Sequence, residues 1–257
     1  MEAVIAKVQK YQFLFTELVK RDFKQKYKRT SLGMLWSILA PLLNLFVLDL
    51  VFSQFFRREQ EQFTIYLFSG VLVFNYFSES TKGGMTSLIN NAKIFSKVNV
   101  PKYLFLLSKN ISALINFGLT LVLYFVFAFA YQIEFGPHML SLIMPITCLV
   151  VFNIGVGMIL SALFIFFRDI QYLYDVFITL LRYVSAIFYA VSRFGDKERF
   201  FLFNPIYVYI KYFRTVLIDH TVPSLAYNGL CMLYAAIVLM IGCFIYKKYN
   251  HHFIYYI

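Results

Sequence analysis

The chain of 257 residues is 60% hydrophobic and only 14% charged, with a mean hydropathy of +0.68. Soluble domains are closer to half apolar and a quarter charged, so this composition excludes a water-soluble globular protein and predicts several membrane crossings. The net charge of +11 would in another protein suggest nucleic-acid binding, but here the basic residues flank apolar segments, which favours membrane orientation and contact with anionic headgroups.

The first thirty residues predict an amphipathic helix that lies in the cytoplasmic membrane interface. Apolar residues recur every three or four positions and share one face, whereas the cations share the other. The apolar positions are Val4, Val8, Tyr11, Phe15, Val19, Phe23 and Tyr27, and the basic ones are Lys7, Lys10, Lys20, Arg21, Lys24, Lys26, Lys28 and Arg29. A cleavable signal peptide fits poorly, because no uninterrupted apolar stretch ending in small residues follows the first charges.

Six apolar stretches follow, each long enough to cross a bilayer as a helix. They cover 32–56, 63–89, 103–131, 139–167, 170–191 and 224–246. Between the last two, the aromatic stretch at 200–218 is broken by Asn204-Pro205, so we expect a re-entrant helical hairpin on the outer side, within 192–222. The sequence therefore predicts an all-α polytopic membrane protein with six transmembrane helices in a single domain.

The distribution of Lys and Arg predicts the orientation in the membrane. These residues are more numerous in the N-terminal segment, the 82–110 loop and the C-terminal tail than in the loops of the opposite side. By the positive-inside rule, both termini are then cytoplasmic.

The sequence carries no residue pattern typical of an enzyme. The four His residues lie outside the apolar stretches, and the three Cys residues lack the spacing of a disulfide framework or a zinc site. The GxxxxGK[ST] motif that cradles nucleotide phosphates is also missing, so an ATPase that drives this chain must be another polypeptide.

Three carboxylates lie within or near the apolar stretches, namely Asp49, Glu79 and Asp175. Buried carboxylates are costly, so each is expected to face the bundle interior, a water-filled path or a cationic partner. A proton-coupled transporter centred on Asp49 would use such a group. A structural ion pair is the simpler interpretation, because no second acidic residue lies one turn away to form a relay.

The 82–110 loop carries five basic residues and no acidic one, with Ile94-Phe95 shortly before Pro101. This pattern is typical of a short helix that is offered to a groove on a partner protein. A basic loop resting on anionic lipid would show the same composition.

Three passages, taken in order, are similar to those of one known family. They are Arg21 to Ser37 with Ala40-Pro41-Leu42, then Asn91 to Pro101, and finally Phe166-Phe167-Arg168-Asp169-Ile170. Together with the length and the hydropathy, they resemble the membrane subunits of ABC-2 type exporters of O-antigen, capsule polysaccharide and teichoic acid.

The resemblance implies the ABC-2 exporter fold and a homodimer that works with two copies of a separate ABC ATPase in the bacterial cytoplasmic membrane. ATP and Mg would bind the ATPase, with no cofactor on this chain, and the cargo would be a glycan on a polyprenyl diphosphate lipid. It also implies that the N-terminal amphipathic helix is an interface or gate helix and that the residues that couple to the ATPase are Asn91, Lys93, Ile94, Phe95, Lys97, Arg168 and Asp169. Arg168-Asp169 would equally suit a static helix-end anchor.

Two further groups of candidate site residues follow from their chemistry. Aromatic faces hold sugar rings without trapping them, and the candidates for a glycan path are Trp36, Phe46, Tyr183, Phe188 and Tyr189. Cations at headgroup level would hold a lipid diphosphate, and the candidates are Lys24, Lys26, Lys28 and Arg29. Lipid-facing packing and phospholipid anchoring explain these same residues, and an ABC-2 permease for a smaller lipid or drug remains an alternative.

Overall fold

The chain is described by a computed structural model for residues 2–28, 30, 32–56, 62–95, 97, 100–191, 195, 198–249 and 253. Every regular element within these residues is helical, which confirms the prediction of an all-α protein. The α-helices are α1 (Glu2–Tyr27), α2 (Trp36–Phe56), α3 (Phe63–Asn90), α4 (Ala92–Phe95), α5 (Tyr103–Ala130), α6 (Ile143–Phe166), α7 (Ile170–Val184), α8 (Glu198–Phe201), α9 (Pro205–Leu217) and α10 (Leu225–Tyr249). Short 3₁₀ turns precede α2 and α6.

Helix α3 lies at the centre of the bundle and packs against α5, α6 and α9. Its first three turns, from Phe63 to Phe74, are entirely buried. Further along, a Cβ atom added at Gly84 would lie 3.0 Å from Cα of Gly157 in α6, so glycine at position 84 allows the two helix backbones to approach closely. Small residues allow such close packing, which holds helices together where lipid tails are as apolar as side chains.

Helix α10 packs against α6 through a second pair of glycines. A Cβ added at Gly155 would lie 2.7 Å from the backbone N of Leu239, and one added at Gly242 would lie 2.8 Å from the carbonyl O of Gly155. The two backbones are therefore in direct contact.

The bundle has two ends that differ in what covers them. Helix α1, which we call the arm, packs beside α5 at the arm end, where α3 finishes and α5 begins. At the far end, where α3 begins and α5 finishes, α9 packs against α3. Contacts of Leu18 near Phe105 and of Asp22 with Ser108 show that the arm and α5 run in the same direction.

Within the described part of the chain, four helical segments are long and apolar enough by themselves to span a membrane, namely Gly33–Val51, Tyr103–Ala130, Pro137–Phe166 and Leu225–Tyr249. The predicted stretches 63–89 and 170–191 correspond to α3 and α7. Helix α7 has only 15 residues, because the chain leaves the helix at Ser185 and turns with a positive φ of 50° at Ala186.

Helices α8 and α9 occupy the segment where a hairpin is predicted. Asn204 caps α9 with its side-chain oxygen, which accepts hydrogen bonds from the backbone N of Ile206 at 3.0 Å and of Tyr207 at 3.4 Å. Pro205 then occupies the first helical turn, where its missing N–H costs nothing. The Asn-Pro pair is thus the start of a buried helix at the far end.

Candidate functional site

A buried carboxylate fixes the arm to the bundle. The side chain of Asp22 is 1% exposed and lies 2.7 Å from Nη2 of Arg21 and 3.0 Å from Nζ of Lys109. The hydroxyl of Ser108 donates to its other oxygen at 3.0 Å. A buried charge is tolerated only when it is paired and hydrogen-bonded, so these contacts hold α1 against the first turns of α5.

One turn further along the arm, Lys26 contacts the central helix. Its Nζ atom lies 2.9 Å from Oε1 of Glu79 in α3, and the same oxygen accepts a hydrogen bond from Nδ2 of Asn116 in α5 at 2.6 Å. Because Asp22 and Lys26 are four residues apart, they share one face of the arm. Glu79 therefore joins three helices at one point.

Two clefts meet at this ion pair. The first has a volume of about 520 Å³ and extends from Lys26 and Glu79 between α2, α3 and α5 toward Leu72. We call it the arm cleft. The second has a volume of about 700 Å³ and is lined by charged and amide groups that include Arg21 and Lys109. We call it the vestibule, and the Lys26–Glu79 pair forms its boundary with the arm cleft, because both residues line both clefts.

The lining of the arm cleft follows helical spacing on each of three helices. Positions three or four apart share a face, so each helix contributes one mixed face of amides, hydroxyls and aromatic rings. The lining residues are Trp36, Ser37, Ala40, Pro41 and Asn44 in α2, Leu72, Asn75, Tyr76, Ser78 and Glu79 in α3, and Ala113, Asn116, Phe117 and Thr120 in α5.

The residues predicted to couple to an ATPase lie at the arm end. A short helix, α4, forms within the predicted segment and contains Lys93, Ile94 and Phe95. Lys93 and Lys97 are exposed, and Ile94 packs on the cluster that contains Leu18 and Phe105. Asn91 is instead buried, and its Nδ2 donates to the carbonyl O of Ser87 at 2.7 Å, so its side chain caps the last turn of α3.

Arg168 and Asp169 occupy the exposed turn between α6 and α7. The guanidinium of Arg168 lies over the ring of Phe164, 5.6 Å from its centroid. Asp175 of α7, one of the three carboxylates expected to meet a cationic partner, pairs with Lys82 of α3 at 2.6 Å. The turn thus presents one charge of each sign at the arm end.

The structure separates the cations predicted to hold a diphosphate. Lys26 faces Glu79 and both clefts, whereas Lys24 and Lys28 are exposed elsewhere on the arm and line neither cleft. Arg29 lies outside the described residues.

At the start of α5, burial lowers the pKa of the Lys102 ammonium, which lies 5.4 Å from the ring centroid of Phe253.

The five aromatic residues predicted for a glycan path are not gathered in one protomer. Trp36 lines the arm cleft, whereas Phe46 is 65% exposed on α2. The other three lie where α7 ends, with the rings of Tyr183 and Phe188 6.0 Å apart and the hydroxyl of Tyr189 donating to the carbonyl O of Tyr183 at 2.9 Å. A path that includes all five would need surfaces of α2 and α7 to face each other.

Asp49 lies near the far end and is hydrogen-bonded to a threonine. Its Oδ1 accepts a hydrogen bond from the hydroxyl of Thr64 at 2.7 Å, and Thr64 in turn accepts one from the hydroxyl of Tyr131 at 3.1 Å. These two hydrogen bonds connect Asp49 of α2 to the start of α3 and to the end of α5.

Sequence reasoning missed Arg214, the central cation of the far end. This residue of α9 is 7% exposed, and its guanidinium donates to the carbonyl oxygens of Tyr66, Ala186 and Ile187 at 2.9–3.3 Å and to Oγ of Ser69 at 3.3 Å. Its Cζ also lies 3.3 Å from the ring centroid of Tyr66. Arg214 thereby ties α9 to α3 and to the turn after α7.

Comparison of the sequence with known proteins identifies the family of the chain. A sequence model of the ABC-2 type transporter family matches residues 13–218, from the second half of the arm to the end of α9. The chain belongs to this family. Membership confirms the resemblance drawn from the three sequence passages and favours it over the proton-coupled alternative centred on Asp49.

Several curated relatives of this ABC-2 family member are similar over most of their length. The O-antigen export system permease protein RfbA of Klebsiella pneumoniae is 29% identical over 247 residues, which is 93% of each chain. A protein of the same name from Myxococcus xanthus is 26% identical over 227 residues, 87% of each chain. The polysialic acid transport protein KpsM of Escherichia coli is 21% identical over 232 residues, 89% of this chain and 88% of the relative.

Proposed function

We propose that this chain is the membrane subunit of an ATP-driven exporter that moves polyprenyl-diphosphate-linked polysaccharide across the bacterial cytoplasmic membrane. The observation that carries the proposal is its similarity, over 87–93% of its length, to permeases named for O-antigen export. A relative named for polysialic acid transport supports polysaccharide as the cargo class rather than a small lipid or drug.

The proposal includes a separate ATPase, in two copies, that holds ATP and Mg. The sequence has no phosphate-cradling motif of its own. Exposed Lys93 and Lys97 beside α4, together with exposed Arg168 and Asp169, give the arm end a charged surface that suits a partner protein. Because Ile94 packs into the bundle, a force on α4 would reach α1 and α5.

The proposal also includes six crossings, by α2, α3, α5, α6, α7 and α10, with both termini in the cytoplasm. The arm end, which carries α4 and most of the basic loop residues, is then cytoplasmic, and α8 and α9 form the outer re-entrant segment. The proposal further includes a homodimer, as the resemblance to ABC-2 exporters implies.

The test uses the bacterium in which the chain is native. Deleting its gene should remove the polysaccharide from the cell surface and leave lipid-linked polysaccharide on the inner leaflet, and expression of the chain should restore export. The control is a strain that keeps the chain but whose partner ATPase has its P-loop lysine replaced. Export that survives this replacement and stops with a proton uncoupler would contradict the proposal.

A further inference from the structure

We propose that the arm cleft binds a sugar unit of the exported glycan within a single protomer. This inference rests on the proposed function and deepens it, because it locates a saccharide subsite at a place that the sequence-based glycan path does not predict. Of the five aromatic residues predicted for that path, only Trp36 lines this cleft.

The polarity of the cleft is the first argument. Asn44 of α2, Asn75 of α3 and Asn116 of α5 bring carboxamides from three helices to one space. Polar groups at this depth are costly when they face lipid tails, and the lipid-accessible positions Phe46 and Leu50 of the same helix α2 are apolar. The polar face of α2 therefore serves a polar occupant.

The mixture of groups identifies the occupant. Carboxamides, hydroxyls and a carboxylate offer the donors and acceptors that sugar hydroxyls need. Trp36, which is 36% exposed, offers an apolar ring face. Tyr76 and Phe117, whose ring centroids lie 4.8 Å apart, form a buried apolar wall behind it. The volume of about 520 Å³ falls in the range of about 300–1,000 Å³ that is usual for small-molecule sites.

The Lys26–Glu79 ion pair at the boundary indicates how a lipid diphosphate in the vestibule would place its attached sugar in the arm cleft. Lys26 and Glu79 are 44% and 37% exposed, so solvent ions reach both. A diphosphate in the vestibule would compete with Glu79 for Lys26, because phosphate oxygens, like a carboxylate, accept charge-assisted hydrogen bonds from an ammonium group. Glu79 then becomes an acceptor for sugar hydroxyls, with Asn116 still holding it at 2.6 Å.

The experiment measures protection of the cleft by the native cargo. Ala40, an exposed residue of the lining, is replaced by Cys in a chain whose Cys148, Cys231 and Cys243 are replaced by Ala. Membranes are prepared from the native host and from the same host without its first glycosyltransferase, washed free of nucleotide so that cargo stays bound, and treated with a permeant maleimide. The matched control is Leu43→Cys, which is 48% exposed on the same helix but outside the lining.

We expect labelling of Ala40→Cys to slow about threefold when cargo is present, as two-thirds occupancy gives, and labelling of Leu43→Cys to stay constant. Equal labelling in the two membranes, in a strain whose Cys variant exports normally, would overturn the subsite and leave the proposed function intact. Slowing at both positions would overturn it too. If the proposed function is wrong, the gene deletion described above shows it, because export then continues without the chain.

A second readout does not depend on a cysteine variant. Trp36 is the single tryptophan of the chain, so its fluorescence reports on the cleft alone. Lipid-linked glycan extracted from the host should shift the emission of the unmodified protein in nanodiscs, and Asn75→Ala should weaken the apparent affinity about fivefold. An emission that does not change on addition of the glycan would contradict the inference.

Discussion

Lys26 of the arm and Glu79 of the central helix are joined by a contact of 2.9 Å between Nζ and Oε1. Three residues after Glu79, Lys82 pairs with Asp175 of α7 at 2.6 Å. These two pairs connect α1 to α7 through a single turn of α3. A movement of the arm would therefore be transmitted through these two ion pairs to α7, which begins directly after Arg168-Asp169.

Glu79→Gln should loosen the arm without unfolding the bundle. Both side chains are more than one-third exposed, so the pair contributes only about 0–1 kcal/mol to stability. We expect faster trypsin cleavage within the arm and a nearly unchanged melting temperature. Glu17→Gln, which breaks the exposed Lys20–Glu17 pair of the same helix, is the control and should change neither quantity.

Asp22→Ala should lower the stability of the protein far more, because it leaves Lys109 without its buried carboxylate partner. Removing one partner of a buried ion pair costs about 3–5 kcal/mol. The measurement is thermal unfolding of the purified protein in detergent. Asp22→Asn removes the charge but keeps an acceptor for the hydroxyl of Ser108 and should lose less. Equal loss in the two variants would show that the hydrogen bond from Ser108 contributes nothing.

Arg214→Lys should destabilise the far end although the charge is kept. Lysine cannot reach the carbonyl oxygens of Tyr66, Ala186 and Ile187 together, because its ammonium lacks the planar fork of guanidinium. A buried polar group left unpaired costs about 1–3 kcal/mol, which should appear as a lower melting temperature. Lys211→Gln, one turn earlier in α9, is the matched control and should have a smaller effect.

Gly155→Ala and Gly118→Ala should act in opposite directions. The new methyl group at Gly155 would lie 2.7 Å from the backbone of Leu239, whereas nothing lies within 4 Å of a Cβ at Gly118. We expect a loss of about 1–3 kcal/mol from overpacking at the first site. At the second site we expect a gain of about 0.5–1 kcal/mol from helix propensity. Unfolding in detergent measures both, and a stable Gly155→Ala would disprove direct contact of α6 with α10.

Lys93→Glu combined with Lys97→Glu should weaken binding of the ATPase while the membrane subunit stays folded. Both side chains are exposed, so their replacement leaves the core unchanged. Co-purification of the ATPase measures the effect, with Lys247→Glu and Lys248→Glu at the end of α10 as the control. Normal co-purification would place the docking surface elsewhere.

Helix positions were predictable from the sequence because apolar length and breaking residues determine them locally. The stretch 103–131 became α5, and Asn204-Pro205 became the start of α9. The partner of Lys26 was not predictable, since 53 residues separate it from Glu79 and only packing of the arm on α5 brings them together. The role of Arg214 was not predictable for a related reason, because all but one of its acceptors are backbone carbonyls, which every sequence has.

The polar stripes of the arm cleft did carry a signal that could have been found. Ser37 and Asn44 are seven residues apart on α2, and Glu79 and Asn75 are four apart on α3, so each polar set repeats with the helical period inside a largely apolar segment. What the sequence could not show is that these faces, with that of α5, point at one another.

The shortness of α7 has a consequence for the surrounding lipid. Fifteen residues rise about 22 Å, against about 30 Å of hydrocarbon in an ordinary bilayer. A helix this short is accommodated by a local depression of the lipid surface, by flanking residues that reach upward, or by a neighbouring subunit. Where the lipid surface is depressed, a sugar polymer leaving beside α7 would meet water after crossing only about three-quarters of the usual distance.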